Sequence, residues 1–98
     1  MKRAIVLSDD ALAQFRKLRA KDRARLRDAM IARLSEDDAT IETRNRFRLR
    51  RPSDFADFEL RVDDLRVFYR VADNQVNVVL IGKKQGSHLV IGGKRFTL

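Results

Sequence analysis

The sequence predicts an α+β fold in which an N-terminal strand and a helical hairpin pack on one face of a small antiparallel sheet. Three observations support this prediction. Residues 3–7 are mainly β-branched and aliphatic, residues 9–34 carry apolar side chains at helical spacing, and from residue 58 onward apolar residues recur at every second position. With 98 residues and a hydrophobic fraction of 44%, the chain is expected to form one domain, residues 1–98.

The first half of the chain is predicted to contain two helices after a short strand. Ser8 ends the strand RAIVL and is suited to cap the first helix, because its side-chain oxygen can accept a hydrogen bond from a free backbone N–H. The apolar stripe of the first helix consists of Leu12, Phe15 and Leu18. After a break near residues 20–22, the stripe of the second helix consists of Leu26, Ala29, Met30 and Leu34. The acidic segment SEDDATIE, residues 35–42, has no period and is expected to be a loop.

The second half is predicted to form a three-strand antiparallel meander. Asp63-Asp64 and Asp73-Asn74 are its two-residue turns. With this register, one continuous apolar face consists of Phe58, Leu60, Val62, Leu65, Val67, Tyr69 and Val71. In the third strand, the expected alternation places Val76, Val78 and Leu80 opposite Asn77, Val79 and Ile81. We expect the two helices to cover the apolar face.

The same register places two arginines side by side on the other face of the sheet. Arg61 lies directly opposite Arg66, and Glu59 lies diagonally from Arg66. Like charges directly opposed across strands are unfavourable. An anion bound between them, or a pairing with Glu59, would offset that cost.

The third strand is expected to add a lysine to this face. Continuing the pairing across the second turn places Arg66 beside Ile81, so Lys83 projects from the same face if the strand is regular. Gly82 makes a bulge possible, and Lys84 would then take that place.

A basic cluster on one side of a small sheet is suited to bind phosphate. Guanidinium groups hold phosphate at two points and can stabilise the charge that develops during metal-free RNA cleavage. The candidate phosphate ligands are Arg61, Arg66, Lys83, Lys84 and, as an extension that contacts RNA, Arg70. The alternative is structural, because basic residues are common on the solvated face of a sheet and Glu59 can pair with Arg66.

Proton transfer requires an acid or a base near the phosphate. Histidine is the residue type suited to proton transfer near neutral pH, and His88 is the only histidine in the chain. Asp57 and Glu59 are the candidate carboxylate bases, and Tyr69 is assigned to packing because it lies on the apolar face. The chain has no cysteine and a single histidine, and no carboxylate pattern positions a metal, so we expect neither a metal nor another cofactor.

The segment RNRFRLRRP contains five arginines, namely Arg44, Arg46, Arg48, Arg50 and Arg51. One interpretation is a flexible, solvated loop that ends at Pro52. The other places the segment along the rim of the uncovered sheet face, where it would follow an RNA backbone. Phe47 is the only aromatic residue in the segment, so the signal for base stacking is weak.

Composition limits the location and the partners of the protein. The net charge of +8 and the pI of about 10.8 are typical of proteins that bind nucleic acid, an anionic membrane or an acidic protein. The sequence contains no apolar run long enough to cross a bilayer, and MKRAIVLSDD lacks the apolar segment of a signal peptide. With no cysteine present, a reducing cytoplasm is the expected location, without a membrane partner.

The order of these elements, together with LRVDDLRVFYRVADNQVNVVLIGKK, resembles the RelE/ParE superfamily of bacterial toxins. LSDDALAQFRKL is also similar to the opening helix of that family. The resemblance implies a RelE-like fold and a toxin of a type II toxin-antitoxin system, neutralised by a cognate acidic antitoxin. RelE-like toxins cut mRNA on the ribosome without a metal ion.

The resemblance assigns roles to two residues and leaves others open. Arg66 matches the arginine of the strand motif, and Lys84 matches the basic residue after Gly-Lys. The paired lysines of some RelE toxins fall at Asp57 and Glu59, and the C-terminal tyrosine falls close to Val90. His88 or Glu59 is then expected to replace them. The alternative is a ParE-like DNA gyrase inhibitor, or a catalytically degenerate toxin that acts by binding.

Overall fold

A computed structural model describes residues 2–50, 56–91 and 94–97 of the chain. Within these ranges, two helices pack on one face of a predominantly antiparallel sheet, so the protein has the predicted α+β architecture. None of the helices in these ranges is both long and apolar enough to cross a membrane.

The chain begins in the sheet, passes once through the helical layer and then returns to the sheet. The elements are β1 (Ala4–Leu7), α1 (Asp9–Lys17), α2 (Ala20–Met30) with a π-helical continuation (Ile31–Glu36), β2 (Arg46–Arg48), β3 (Phe58–Val62), β4 (Leu65–Ala72), β5 (Gln75–Gln85), β6 (His88–Ile91) and β7 (Lys94–Thr97). Strands β2 to β7 neighbour one another in sequence order, and each pair is antiparallel. Strand β1 pairs in parallel with the first half of β5, so the sheet is larger than predicted and mixed.

The helical hairpin begins at the predicted cap, but its break lies at Leu18 and Arg19, and residues 20–22, predicted to form the break, are the first residues of α2. The Oγ atom of Ser8 accepts a hydrogen bond from the backbone N–H of Ala11 at 3.0 Å, which confirms the predicted N-cap. The second helix continues as a π-helical segment to Glu36, into the region predicted to be a loop. This continuation carries Leu34, which is fully buried in the core.

The core lies between the helices and the apolar face of β3, β4 and β5. Tyr69 is at its centre, and its ring stacks on Phe58 with 5.2 Å between centroids. The Tyr69 hydroxyl donates a hydrogen bond to the carbonyl of Ala39 at 2.7 Å. Burial raises the pKa of Tyr69 well above its usual range, so the residue is a neutral packing group, as expected.

The first hairpin has the predicted register. Val62 pairs with Leu65 and Arg61 with Arg66 across the turn Asp63-Asp64. Asp63 has a φ of 55°, which aspartate tolerates better than most residues and which suits a two-residue hairpin turn. The positions of the site residues on β3 and β4 therefore follow from the turn.

The register of β5 differs from the prediction by one residue. Phe68 pairs with Leu80 but Tyr69 pairs with Val78, so Val79 is an extra residue that forms a bulge. The carbonyl of Val79 accepts a hydrogen bond from Ser8 Oγ at 2.7 Å, which ties the bulge to the start of α1. Beyond Val79 the side chains exchange faces, and Leu80 leaves the core face.

This bulge corrects two expectations from the sequence. Ile81 is buried in the core at 2% exposure, although it was predicted on the opposite face. Arg66 pairs with Gly82 and not with Ile81.

The segment HLVIGGKRFTL, which the sequence alone leaves unassigned, adds β6 and β7 to the sheet.

Gly82 lies where the bulged strand meets β6, and we expect Gly82→Ala to destabilise the protein. An added Cβ atom would lie 2.9 Å from Ile91 Cγ1 and 3.1 Å from the carbonyl oxygen of Val90. Relieving such overpacking typically costs about 1–3 kcal/mol of unfolding free energy. Urea denaturation would measure the change. A midpoint equal to that of the wild type would show that β6 shifts to accommodate the added Cβ atom with no loss of stability.

Candidate nucleic-acid interface

The face of the sheet opposite the helices, here called the open face, carries most of the predicted site. Alternation along β3 and β4 places Glu59, Arg61 and Arg66 on this face. Arg61 and Arg66 are direct partners on neighbouring strands. Arg70 lies further along β4 on the same face, beyond Phe68, and is half-buried.

Glu59 joins the two arginines into one cluster. Its Oε2 atom accepts a hydrogen bond from Arg61 Nε at 2.8 Å and lies 3.7 Å from Arg66 Nε. Glu59 is 9% exposed, so both ion pairs are partly shielded from water. The repulsion expected between the opposed arginines is thus offset by a shared carboxylate, as the structural alternative anticipated.

Arg66 is held in a fixed orientation. Its Nη1 atom donates hydrogen bonds to the carbonyls of Asp63 at 2.7 Å and Leu65 at 3.0 Å, and the residue is 8% exposed. Burial is the main cause that lowers the pKa of Arg66, with the charge of Arg61 acting in the same direction. Because a guanidinium keeps its proton even so, Arg66 is a rigid cation at the edge of the cluster.

The bulge decides which lysine shares the open face. Lys83 lies on the helix side, where its Nζ atom is 3.7 Å from Asp22 and 3.6 Å from Asp64. Lys84 follows on the same face as Gly82 and Arg66, and its side chain is exposed. The expectation that Lys83 joins the cluster in a regular strand is therefore corrected in favour of Lys84.

His88 does not lie near the arginine cluster. It pairs with Gln85 at the hairpin between β5 and β6, one residue before Leu89, which faces Lys84. Side chains alternate along a strand, so His88 projects from the opposite side of the sheet to Lys84 and Arg66. The structure thus separates His88 from the phosphate ligands and leaves Glu59 as the nearby proton acceptor.

Within the arginine-rich segment, Arg46–Arg48 form strand β2, whose alternation places Arg46 and Arg48 on the side of Leu60 and Phe58 and places Phe47 on the side of Glu59. The two arginines differ in burial, since Arg46 is buried and Arg48 is exposed. Arg46 is on the helix side and is 4% exposed. Its guanidinium donates to the carbonyls of Ile41 at 2.9 Å and Arg33 at 2.6 Å, and Nη1 is 3.3 Å from Asp37 Oδ2. The predicted contact of Arg46 with RNA is corrected, because this side chain is used to fix the segment after α2.

The other arginines of this segment remain at the surface. Arg44, Arg48 and Arg50 are exposed, and Arg51 lies outside the described residues. The guanidinium carbon of Arg48 is 4.6 Å from the centroid of the Phe58 ring.

Three of these arginines and Arg61 line an open groove along β2, here called the β2 groove. Its volume is about 590 Å³, and its lining includes Glu42 and Glu59. Phe47 also lines it, and the guanidinium carbon of Arg61 lies 4.9 Å from the centroid of its ring. The β2 groove thus combines guanidinium donors with an aromatic ring, which suits it to a nucleic-acid strand.

A second apolar cluster, not predicted from the sequence, lies on the open face. Its members are Ala56, Phe68 and Leu89, with Leu49, Leu80 and Ile91 packed against them. Leu80 joins it only because of the bulge, so the alternation read from the sequence could not assign it. The contact between the Phe47 ring and the Arg61 guanidinium was also not predicted, although the alternation of RFRL already places Phe47 on the opposite face to Arg46.

Comparisons with known proteins supply no assignment for the chain. No protein-family model matches the sequence, and no curated protein matches it either. The functional proposal therefore rests on the Arg61, Glu59 and Arg66 cluster and on the β2 groove. Chemically, this arrangement can bind a phosphodiester, offer a carboxylate to a nearby hydroxyl, and stabilise added negative charge.

Proposed function

We propose that the protein is a toxin of the RelE/ParE kind that cleaves mRNA on translating ribosomes without a metal ion. The observation that carries this proposal is the direct pairing of Arg61 with Arg66 around Glu59, at the end of the β2 groove. Two guanidinium groups fixed on adjacent strands provide a preorganised site for one phosphate. The RelE-like fold and a cytoplasmic location belong to the same proposal.

The cleavage step uses the ribose next to the scissile phosphate. When the phosphate binds to Arg61 and Arg66, it replaces Glu59 as their partner and frees that carboxylate. Glu59 then removes the proton of the 2′-hydroxyl, whose oxygen attacks phosphorus while the bond to the 5′-oxygen breaks. The arginines stabilise the charge on the pentacoordinate phosphorus, and Lys84 protonates the departing 5′-oxygen. The products are a 2′,3′-cyclic phosphate and a 5′-hydroxyl.

A second candidate function is binding without cleavage, as in a ParE-like DNA gyrase inhibitor or a catalytically degenerate toxin. The observation that favours it is that Glu59 is already paired with both arginines and that His88, the only histidine, is on the other side of the sheet. In this case the cluster stabilises the sheet, and the exposed arginines provide the contact surface.

Mapping of RNA ends in cells separates the two functions. Expression of the protein is expected to produce new 5′ ends in translated mRNA, located within ribosome-covered codons. Intact transcripts together with DNA breaks would instead indicate gyrase as the target. Intact transcripts and intact DNA would contradict both proposals.

The antitoxin is the second partner in this proposal. An acidic protein is expected to bind the protein strongly at low salt, because the net charge is +8. A reading frame next to the gene is expected to encode a small acidic protein with a DNA-binding N-terminal half.

Glu59→Gln tests the proposed base. We expect it to lower mRNA cleavage by about 100- to 10,000-fold, because glutamine cannot accept the 2′-hydroxyl proton. Binding of an uncleavable RNA should be retained or strengthened, since a negative charge leaves the site. Cleavage on purified translating ribosomes and RNA binding would be measured side by side.

Glu42→Gln provides the matched control, because Glu42 lines the same groove and loses the same charge. Its expected effect on cleavage is small. Equal effects of the two substitutions would show that Glu59 contributes only charge and would contradict its role as the base.

A further inference from the structure

A second groove, here called the Arg33 groove, adjoins the β2 groove at the edge of the sheet. Its volume is about 350 Å³, and it lies between the C-terminal part of α2 and the end of β3. The residues that line both grooves are Thr43, Arg44 and Arg61. The two grooves therefore form one path, with Arg61 at the junction.

The Arg33 groove contains positive charge that forms no ion pair with the residues that the structure describes. Neither Arg33 nor Arg44 forms an ion pair with a described residue, whereas Arg46 pairs with Asp37. Among the described residues that line this groove, Asp63 is the one carboxylate, and it already accepts a hydrogen bond from Arg25 at 2.8 Å. Two exposed, unpaired guanidinium groups beside a neutralised carboxylate favour an anionic ligand.

The β2 groove adds a site for a base. The ring of Phe47 is half-buried, lines the groove and contacts Arg61, so it is fixed in position. Aromatic rings beside a basic path are typical of proteins that bind single strands, because each unpaired base can stack on them. In double-stranded RNA the bases are paired and stacked on one another, and this contact is not accessible.

We infer that the Arg33 groove is a second phosphate subsite, and that a single strand of RNA runs from Arg33 and Arg44 past Arg61 to a base stacked on Phe47. This inference rests on the proposed function, since it extends the substrate path of the same site. The ligand is then unpaired RNA. Arg61 and Arg66 hold the phosphate of the scissile bond, and the Arg33 groove holds another phosphate of the same strand. The stacking contact with Phe47 favours RNA over an acidic peptide.

The test measures binding of a single-stranded 2′-O-methyl oligoribonucleotide of about eight nucleotides, which matches the usual size of single-strand sites. The 2′-O-methyl groups prevent cleavage, so binding is measured alone. Fluorescence anisotropy at several salt concentrations gives both the affinity and its salt dependence. Arg33→Gln and Arg44→Gln are each expected to weaken binding several-fold and to reduce the slope of log affinity against log salt by about 0.7.

Phe47→Leu provides a different signature. It should weaken binding by about 5- to 150-fold, the usual range for loss of one stacked base, and leave the salt slope unchanged. Arg16→Gln, on the exposed surface of α1 and outside both grooves, is the charge-matched control and should change neither quantity.

The outcomes distinguish this inference from the proposed function. If Arg61→Gln loses affinity but Arg33→Gln and Arg44→Gln behave as wild type, the second subsite is wrong and the proposed function stands. If Arg61→Gln also binds as wild type, the proposed function fails with it. If oligoglutamate of the same charge displaces the RNA at equal concentration, the path is a general anion site and the assignment to RNA is overturned.

Discussion

Replacing Arg66 by lysine is expected to lower mRNA cleavage by about 100- to 1,000-fold, the usual cost of removing one preorganised donor to a developing charge. Lysine keeps the positive charge, but it lacks the planar fork that can bind the Asp63 and Leu65 carbonyls together with a phosphate. The rate of mRNA cleavage on translating ribosomes, measured under single-turnover conditions, would show this loss.

Two further measurements separate a loss of catalysis from a loss of folding or of binding. Thermal unfolding of Arg66→Lys shows whether the sheet is intact, and antitoxin binding shows whether the surface is preserved. Arg16→Lys is the matched control, because it makes the same exchange at an exposed position on α1 that lies outside both grooves. Full toxicity of a folded Arg66→Lys or Arg66→Ala variant would contradict the assigned role.

Replacing Arg46 by methionine is expected to destabilise the fold by about 2–4 kcal/mol, although the neighbouring arginines belong to the proposed RNA-binding surface. Methionine fills much of the same space but leaves the carbonyls of Ile41 and Arg33 without their donor. Hydrogen bonds to charged groups are each worth about 1.5–3 kcal/mol, and part of this loss is recovered when water reaches the carbonyls. Urea denaturation at constant pH would measure the change.

Arg44→Met is the matched control for this prediction, since it makes the same exchange two residues earlier in an exposed position. Its expected effect on stability lies within about 0.5 kcal/mol. Its RNA affinity should fall, whereas folded Arg46→Met should bind RNA as wild type. Reversed results would show that Arg46 leaves its buried position to bind RNA.

The first hairpin could be predicted from the sequence because its information is local. The turn Asp63-Asp64 fixes the register, and strict alternation on both sides then places Arg61 beside Arg66. The cap at Ser8 is similarly local, because the hydroxyl bonds to a backbone group three residues away. Both features depend on a few neighbouring residues and not on the rest of the fold.

The lysine of the site could not be settled from the sequence because its position depends on a tertiary contact. The bulge at Val79 is tied to Ser8, which lies more than 70 residues earlier in the chain. Alternation alone therefore assigned Ile81 to the wrong face and left Lys83 and Lys84 both open. Arg46 shows the related limit, since nothing in an arginine-rich run indicates which guanidinium will meet buried carbonyls.

The extra residue at Val79 also determines how this chain has to be aligned with others. Deletion of Val79 would leave a regular ladder with the same pairs, Tyr69 with Val78 and Phe68 with Leu80, so Lys83 and Lys84 would keep their sides. Loss of the bulge without a deletion would instead shift the rest of β5 by one residue, and the two lysines would exchange sides. A chain with a regular β5 is therefore one residue shorter here, and an alignment without a gap at Val79 would match the wrong lysine, even where every residue around it is identical.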